Sequence, residues 1–228
     1  MMTQIIIRPY QQRDREGVRQ ISGDTANLGR SVETFFPDRE VMVDLLMDYY
    51  TDYEPASCWV AEFDGKVIGY LTGCLKKNRY LLLTCLYIVP KILLRAFIRG
   101  VFFQKKTWHL LKAVITTWRK GGYFKHIPFR KYPAHLHINI QSEFRNQHIG
   151  QRLMEAFLGQ VKSCGLCGIH AVTRQENTSA CRFFERMGFT ALSRHVLVTP
   201  SDEGQHEGHT VVYGKLMRDE KADTKKCV

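Results

Sequence analysis

The residues best placed for chemistry are Arg145-Asn146-Gln147-His148-Ile149-Gly150, a polar loop between an alternating strand pattern and a strong helix pattern. A strand that turns through a short loop into a helix presents unpaired backbone N–H groups at the positive end of the helix dipole. That arrangement seats a phosphate. The amides of Gln147, His148, Ile149, Gly150 and Gln151 are the ones expected to grip it. Just upstream, Leu136, Ile138 and Ile140 alternate with His135, His137 and Asn139, so apolar and polar side chains take opposite faces of one strand. His137, on the polar face, has an unperturbed pKa of about 6.5 and is the candidate general base. A histidine held structurally by a carbonyl is the alternative. His135 lies farther from the expected reacting centre, Asn139 could orient a water, and Tyr132-Pro133 could line an acceptor pocket. Glu176 matches no catalytic position.

Downstream, Ile149, Leu153, Phe157 and Val161 recur at helical spacing until Cys164-Gly165 ends the run. A second signal lies at 177–189, where Asn177 can cap a short helix and Gly188 can close it.

These two segments resemble the GNAT superfamily of acyl-CoA-dependent N-acetyltransferases. The first is similar to its pyrophosphate-binding motif, Q/R-x-x-G-x-G/A, with Arg145 opening the loop and Gly150 in the last small-residue slot. The second is similar to its later Asn…Ala…Tyr…Gly-Phe motif, with Asn177 at the position that lies along the CoA arm. The resemblance implies acetyl-CoA as acyl donor and direct transfer of acetyl to an amine acceptor. It also implies that Ile138, Asn139 and Ile140 offer backbone groups to the acetyl and pantetheine end. Two residues depart from the pattern. His148 stands where the family has its first glycine, and Phe184 where many members carry a tyrosine that protonates the departing thiolate. Residues 132–138 carry a weaker likeness to bacterial GNAT proteins related to the acetyltransferase-like domain of some O-GlcNAc hydrolases. The rival reading is an acyl-CoA-binding module without turnover, which His148 and Phe184 favour.

The elements that must position these residues imply one α/β domain over 1–218, with a mixed central sheet, helices on both faces and a tail at 219–228 expected to be mobile. Its 228 residues, 44% hydrophobic and 24% charged, suffice for a full core and exclude a disordered binder. Strands are expected at 5–10, 58–64, 66–75, 168–173, 191–198 and 209–216, with Asp64-Gly65 as a hairpin turn. Helices are expected from Asp14 and over 38–53, the latter with Val41, Leu45, Leu46 and Tyr49 along one side. Residues 199–208 read as a polar loop, and 80–89 as the helical start of an insertion. Seven scattered cysteines and no leader before Ile5 imply a reducing, cytoplasmic setting. The single CxxC at Cys164 and Cys167 lacks the further ligands zinc needs, so no metal site is expected.

The charge is unevenly distributed. Residues 65–142 hold fifteen Lys or Arg and no Asp or Glu, whereas residues 1–64 hold six basic and twelve acidic residues. Within the basic stretch, 91–131 reads as two amphipathic helices separated near 104–106. Ile92, Leu93, Ala96, Phe97 and Val101 form one apolar stripe and Trp108, Leu111, Ile115 and Trp118 the other. The leading expectation is a flap packed on the domain with its basic face in solvent. A second is peripheral contact with an anionic membrane surface. Nucleic acid is the lesser third, since charge alone is poor grounds for it. The acceptor's class and the oligomeric state are not encoded legibly.

Overall fold

The computed structural model describes residues 4–122, 129–201 and 204–217. The chain begins with β1 (Ile6–Pro9), α1 (Arg15–Thr25) and α2 (Arg39–Asp48), the last capped by Asp38, whose carboxylate accepts from the Val41 amide at 3.1 Å. A π turn, Tyr49–Tyr53, follows. Next come β2 (Cys58–Phe63) and β3 (Lys66–Cys74), joined through Asp64 and Gly65 at φ 50° and 72°. That left-handed pair is what a two-residue hairpin with properly twisted strands requires.

A helical tract fills the space before the next strand. It comprises α3 (Lys77–Leu83), a π segment (Thr84–Ile88), α4 (Val89–Ile98) and α5 (Lys105–Arg119). Then follow β4 (Ala134–Ile140), α6 (Ile149–Ser163), β5 (Gly168–Arg174), α7 (Thr178–Arg186), β6 (Thr190–Ser201) and β7 (Gly204–Leu216). The seven strands form one sheet in the order β1-β2-β3-β4-β5-β7-β6, antiparallel throughout except for β4 and β5.

Period-two patterning decides what covers each face. Leu71, Leu136, Ile169 and Ala171 point to one side and meet Ile149, Leu153, Met154, Phe157 and Val161 of α6. Tyr70 and Cys74 point to the other and meet Val18 and Ile21 of α1 and Val43 and Met47 of α2. Each fully buried large apolar side chain contributes about 2 kcal/mol. Gly73 permits the tightest approach of the α6 layer, since a Cβ there would lie 2.1 Å from the Phe157 ring.

Four expectations change. Residues 77–98 form one helical run, so the tract opens at Lys77, well before Lys91. Residues 199–201 and 204–208 continue the β6–β7 pairing, with Ser201 opposite Gly204, because extended pairing satisfies the backbone of this polar segment. On α2, Leu45 is exposed, while Asp44 and Asp48 are buried because they meet cations from α1 and α4. On α5, Trp108, Leu111, Ile115 and Trp118 face outward, and Thr107, Ala113 and Thr117 face in. The reason lies in the contacts: Thr117 Oγ1 accepts from the Val198 amide at 2.9 Å, so the polar side is the one that fits against β6. The tail at 219–228, together with 123–128, lies outside the described residues.

Candidate active site

β4 and β5 pair through two positions, Ala134 with Ile169 and His135 with His170, and then splay. On its other side β4 stays paired to β3 through Ile140. The backbone edge of Leu136–Ile140 that faces β5 therefore has no strand partner, and a wedge opens between the two strands. Ile138, Asn139 and Ile140 lie along it. The Ile140 carbonyl is already engaged, because Arg145 Nε donates to it at 3.2 Å. Arg145 thus fastens the loop to the strand end.

Beyond the wedge, the turn 145–148 carries two left-handed residues, Asn146 at φ 62° and His148 at φ 57°. His148 is the N-cap residue of α6. A glycine would adopt this conformation without strain, whereas histidine and asparagine do so at a cost, though more readily than most residues. The first helical hydrogen bond runs from the Arg152 amide to the His148 carbonyl at 3.1 Å. The amides from Asn146 to Gln151 have no acceptor among the described residues. Gly150 has a packing role: a Cβ there would lie 3.3 Å from both Ile140 Cδ1 and Phe183 Cε2. Side chains of Gln151 and Glu155 hydrogen-bond to each other along the exposed side of α6 at 2.9 Å.

Asn177 caps α7, its side-chain oxygen accepting from the Ala180 amide at 3.1 Å, which leaves its amide nitrogen for other use. Phe184 is buried against Phe189 and Tyr213, so this position offers packing and no hydroxyl. Glu176 is ion-paired with Arg174 at 3.4 Å.

The polar face of β4 lines an aromatic box. His135 Nε2 and the Tyr50 hydroxyl share a hydrogen bond of 2.8 Å, and the Tyr80 ring of α3 lies 5.1 Å from that imidazole, centre to centre. His137 packs edge-on to Tyr50 at 5.5 Å and reaches solvent. His170, from β5, donates through Nδ1 to the Tyr132 carbonyl at 2.8 Å and tilts toward His135. Asn139 is tied down, its Nδ2 donating to the Tyr70 hydroxyl at 2.9 Å. Thr72, directly across from His137, keeps a buried hydroxyl with no partner among the described residues.

Desolvation lowers the imidazole pKa values most firmly at His135, where His137 and His170 add to the effect, and at His170; His137, which reaches solvent, shifts in the same direction. All three are neutral at pH 7. Sequence reasoning identified His135 and His137 and missed Tyr50, Tyr80 and His170, which lie on elements distant in sequence. No group of three or more His, Cys, Asp or Glu among the described residues is arranged to hold a metal ion.

Comparison with known proteins bears on the fold that carries this site. The acetyltransferase (GNAT) family model matches residues 108–189, from α5 through α7. Solved structures of similar fold include SsHAT, at 22% identity and TM-score 0.65, covering 94% of this chain and 99% of the other. A putative acetyltransferase from Salmonella typhimurium, yncA, solved with its cofactor acetyl-CoA, matches at 13% identity and TM-score 0.57 over 97% and 99%. The ribosomal-protein-alanine N-acetyltransferase from Brucella melitensis matches at 15% and 0.55 over 92% and 99%. The GNAT family match over residues 108–189, together with a fold shared with solved acetyltransferases, supports an acetyl-CoA-dependent N-acetyltransferase.

Proposed function

We propose that the chain acetylates an amine held in the box formed by Tyr50, Tyr80, His135 and His137, with the donor's diphosphate on the amides from Gln147 to Gln151. The observation that carries this reading is the strand splay: it leads from the unpartnered amides directly to His137. Acetyl-CoA, when bound, supplies the activated acyl group. The exposed β4 backbone orients its pantetheine end, and oriented binding alone can lower a barrier by several kcal/mol.

The acceptor's nitrogen must be neutral to attack the acyl carbon, forming C–N as C–S breaks and thiolate leaves. With its pKa lowered, His137 is a poor partner for a proton held by an alkylammonium. The aromatic box favours the neutral amine in a different way, by withdrawing water from its charged form. His137 then hydrogen-bonds the amine and relays the proton released on attack to solvent, and Asn177 steadies the donor's arm. The noncatalytic alternative draws on Phe184, since no hydroxyl there can protonate the thiolate.

Calorimetry and an acetylation assay over a panel of primary amines test the reading. Wild type should bind acetyl-CoA and turn over at least one amine. His148→Asp, which adds an anion to the phosphate seat in a residue that tolerates the left-handed conformation, should weaken acetyl-CoA at least about tenfold. Unchanged affinity would refute the seat. His137→Ala should lower kcat by about 10²-fold at saturating acetyl-CoA. A normal kcat removes the relay, and tight binding with no turnover on any amine favours the alternative.

A further inference from the structure

The helical tract is built inside out. On α4, Lys91 Nζ donates to Asp48 at 3.1 Å, Arg95 pairs with Asp44, and Arg99 Nε donates to Asp38 at 2.5 Å. The charged side of this helix is thus the side fastened to α2, alongside Ile92 and Ala96. Its remaining apolar residues point away from the protein. Leu94, Phe97 and Ile98, Phe103 in the turn that follows, and Trp108 and Trp118 on α5 are all between 61% and 85% exposed. Monomeric soluble proteins rarely show so large an apolar surface to water.

We propose that this outer face docks on an anionic lipid bilayer, lying in the interface without crossing it. Charge selects the partner. Lys105, Lys112 and Arg119 are exposed on the same tract, with no acidic partner among the described residues, and 65–142 contains no carboxylate side chain at all. Anionic headgroups complement that combination of apolar and basic groups. A second copy meeting it face to face would set cation against cation. Indole and aromatic rings beside lysines also suit the boundary between acyl chains and headgroups.

The helical run Lys77–Ile98 has the length to span a membrane, and its most apolar 18 residues have a mean hydropathy of 2.0. Its bonds argue for the in-plane orientation. Leaving the domain would strip Asp44 of Arg95 and Asp48 of Lys91, exposing both carboxylates' remaining partners to rearrangement and dragging two cations into hydrocarbon.

Co-sedimentation of the full chain with phosphatidylcholine vesicles, with and without phosphatidylserine and at low and high salt, tests the proposal. Binding should need phosphatidylserine and weaken with salt. Two double variants of exposed residues, Phe97→Ser with Ile98→Ser and Trp108→Ser with Trp118→Ser, should each weaken it about tenfold or more. Circular dichroism and acetyl-CoA affinity should stay at wild-type values, confirming an intact fold. Failure of folded wild type to sediment with anionic vesicles at low salt overturns the proposal. So does salt-insensitive binding that both double variants retain. Self-association lost in the variants, without vesicle binding, overturns it in favour of a second copy.

Discussion

α6 and the pair α4–α5 have the same sequence signature, an apolar stripe of helical period, but α6 buries its whole stripe whereas α4 buries only Ile92 and Ala96 of its own beside charged residues, and α5 turns its stripe outward. On α6, Ile149, Leu153, Phe157 and Val161 face the sheet and the polar residues face water. On α4, Lys91, Arg95 and Arg99 face the domain while Leu94, Phe97 and Ile98 face outward. The neighbour makes the difference. α6 meets a sheet face of Leu71, Leu136 and Ile169, whereas α4 meets a helix whose near side holds Asp38, Asp44 and Asp48. Periodicity therefore determines which residues share a stripe, and the chemistry across the interface determines which stripe is buried.

Substitutions on the two layers should give opposed results. Phe157→Ala, in the sealed α6 layer, should cost about 3–5 kcal/mol in a denaturant titration, the range for deleting a buried aromatic ring. If it costs less than 1 kcal/mol, that layer is loosely packed and the contrast fails. Arg19→Met should cost about 3 kcal/mol. Arg19 is buried, bonds Asp44 at 2.7 Å and Glu40 at 2.6 Å, and its loss leaves Asp44 and Asp48 short of compensation. A neutral result would mean that Arg95 and Lys91 hold the acidic side unaided.

The histidine box predicts a smaller, pH-dependent effect. The unfolded chain takes up protons near pH 6.5, while the folded one resists doing so at the enclosed His135 and His170, and in the same direction at His137. Stability should therefore be fully present above pH 6.5 and decline as pH falls below it. His137→Gln should flatten that decline in thermal melts recorded across the range, and an unaltered slope would show that other groups cause it. The smallest effect is expected on the outer layer: Phe97→Ser should change stability by less than about 0.5 kcal/mol despite removing a large apolar group. A loss of 2 kcal/mol would place that ring in a core.

Much of the sheet was legible, because alternation in 135–140, the Asp64-Gly65 turn and the caps at Asp38 and Asn177 are local signals with local causes. The strand-to-helix turn at 145–148 was legible for the same reason, although the left-handed backbone at His148 was not. The aromatic box escaped because Tyr50, Tyr80 and His135 meet only when a π turn, a helix and a strand converge. The orientation of α4 and α5 escaped as well. Its clue was present in the charge imbalance between 1–64 and 65–142, which forecasts an acidic surface pairing with a basic one.

Tyr80 and Leu81 are consecutive on α3. Tyr80 turns its ring to His135 and Leu81 is nearly half exposed, with Leu82 more so beside it. The wall of the acceptor box and the outer skin of the protein are thus a single turn of helix. If the amine is held as proposed, whatever covers Leu81 and Leu82 lies one residue from the wall it meets.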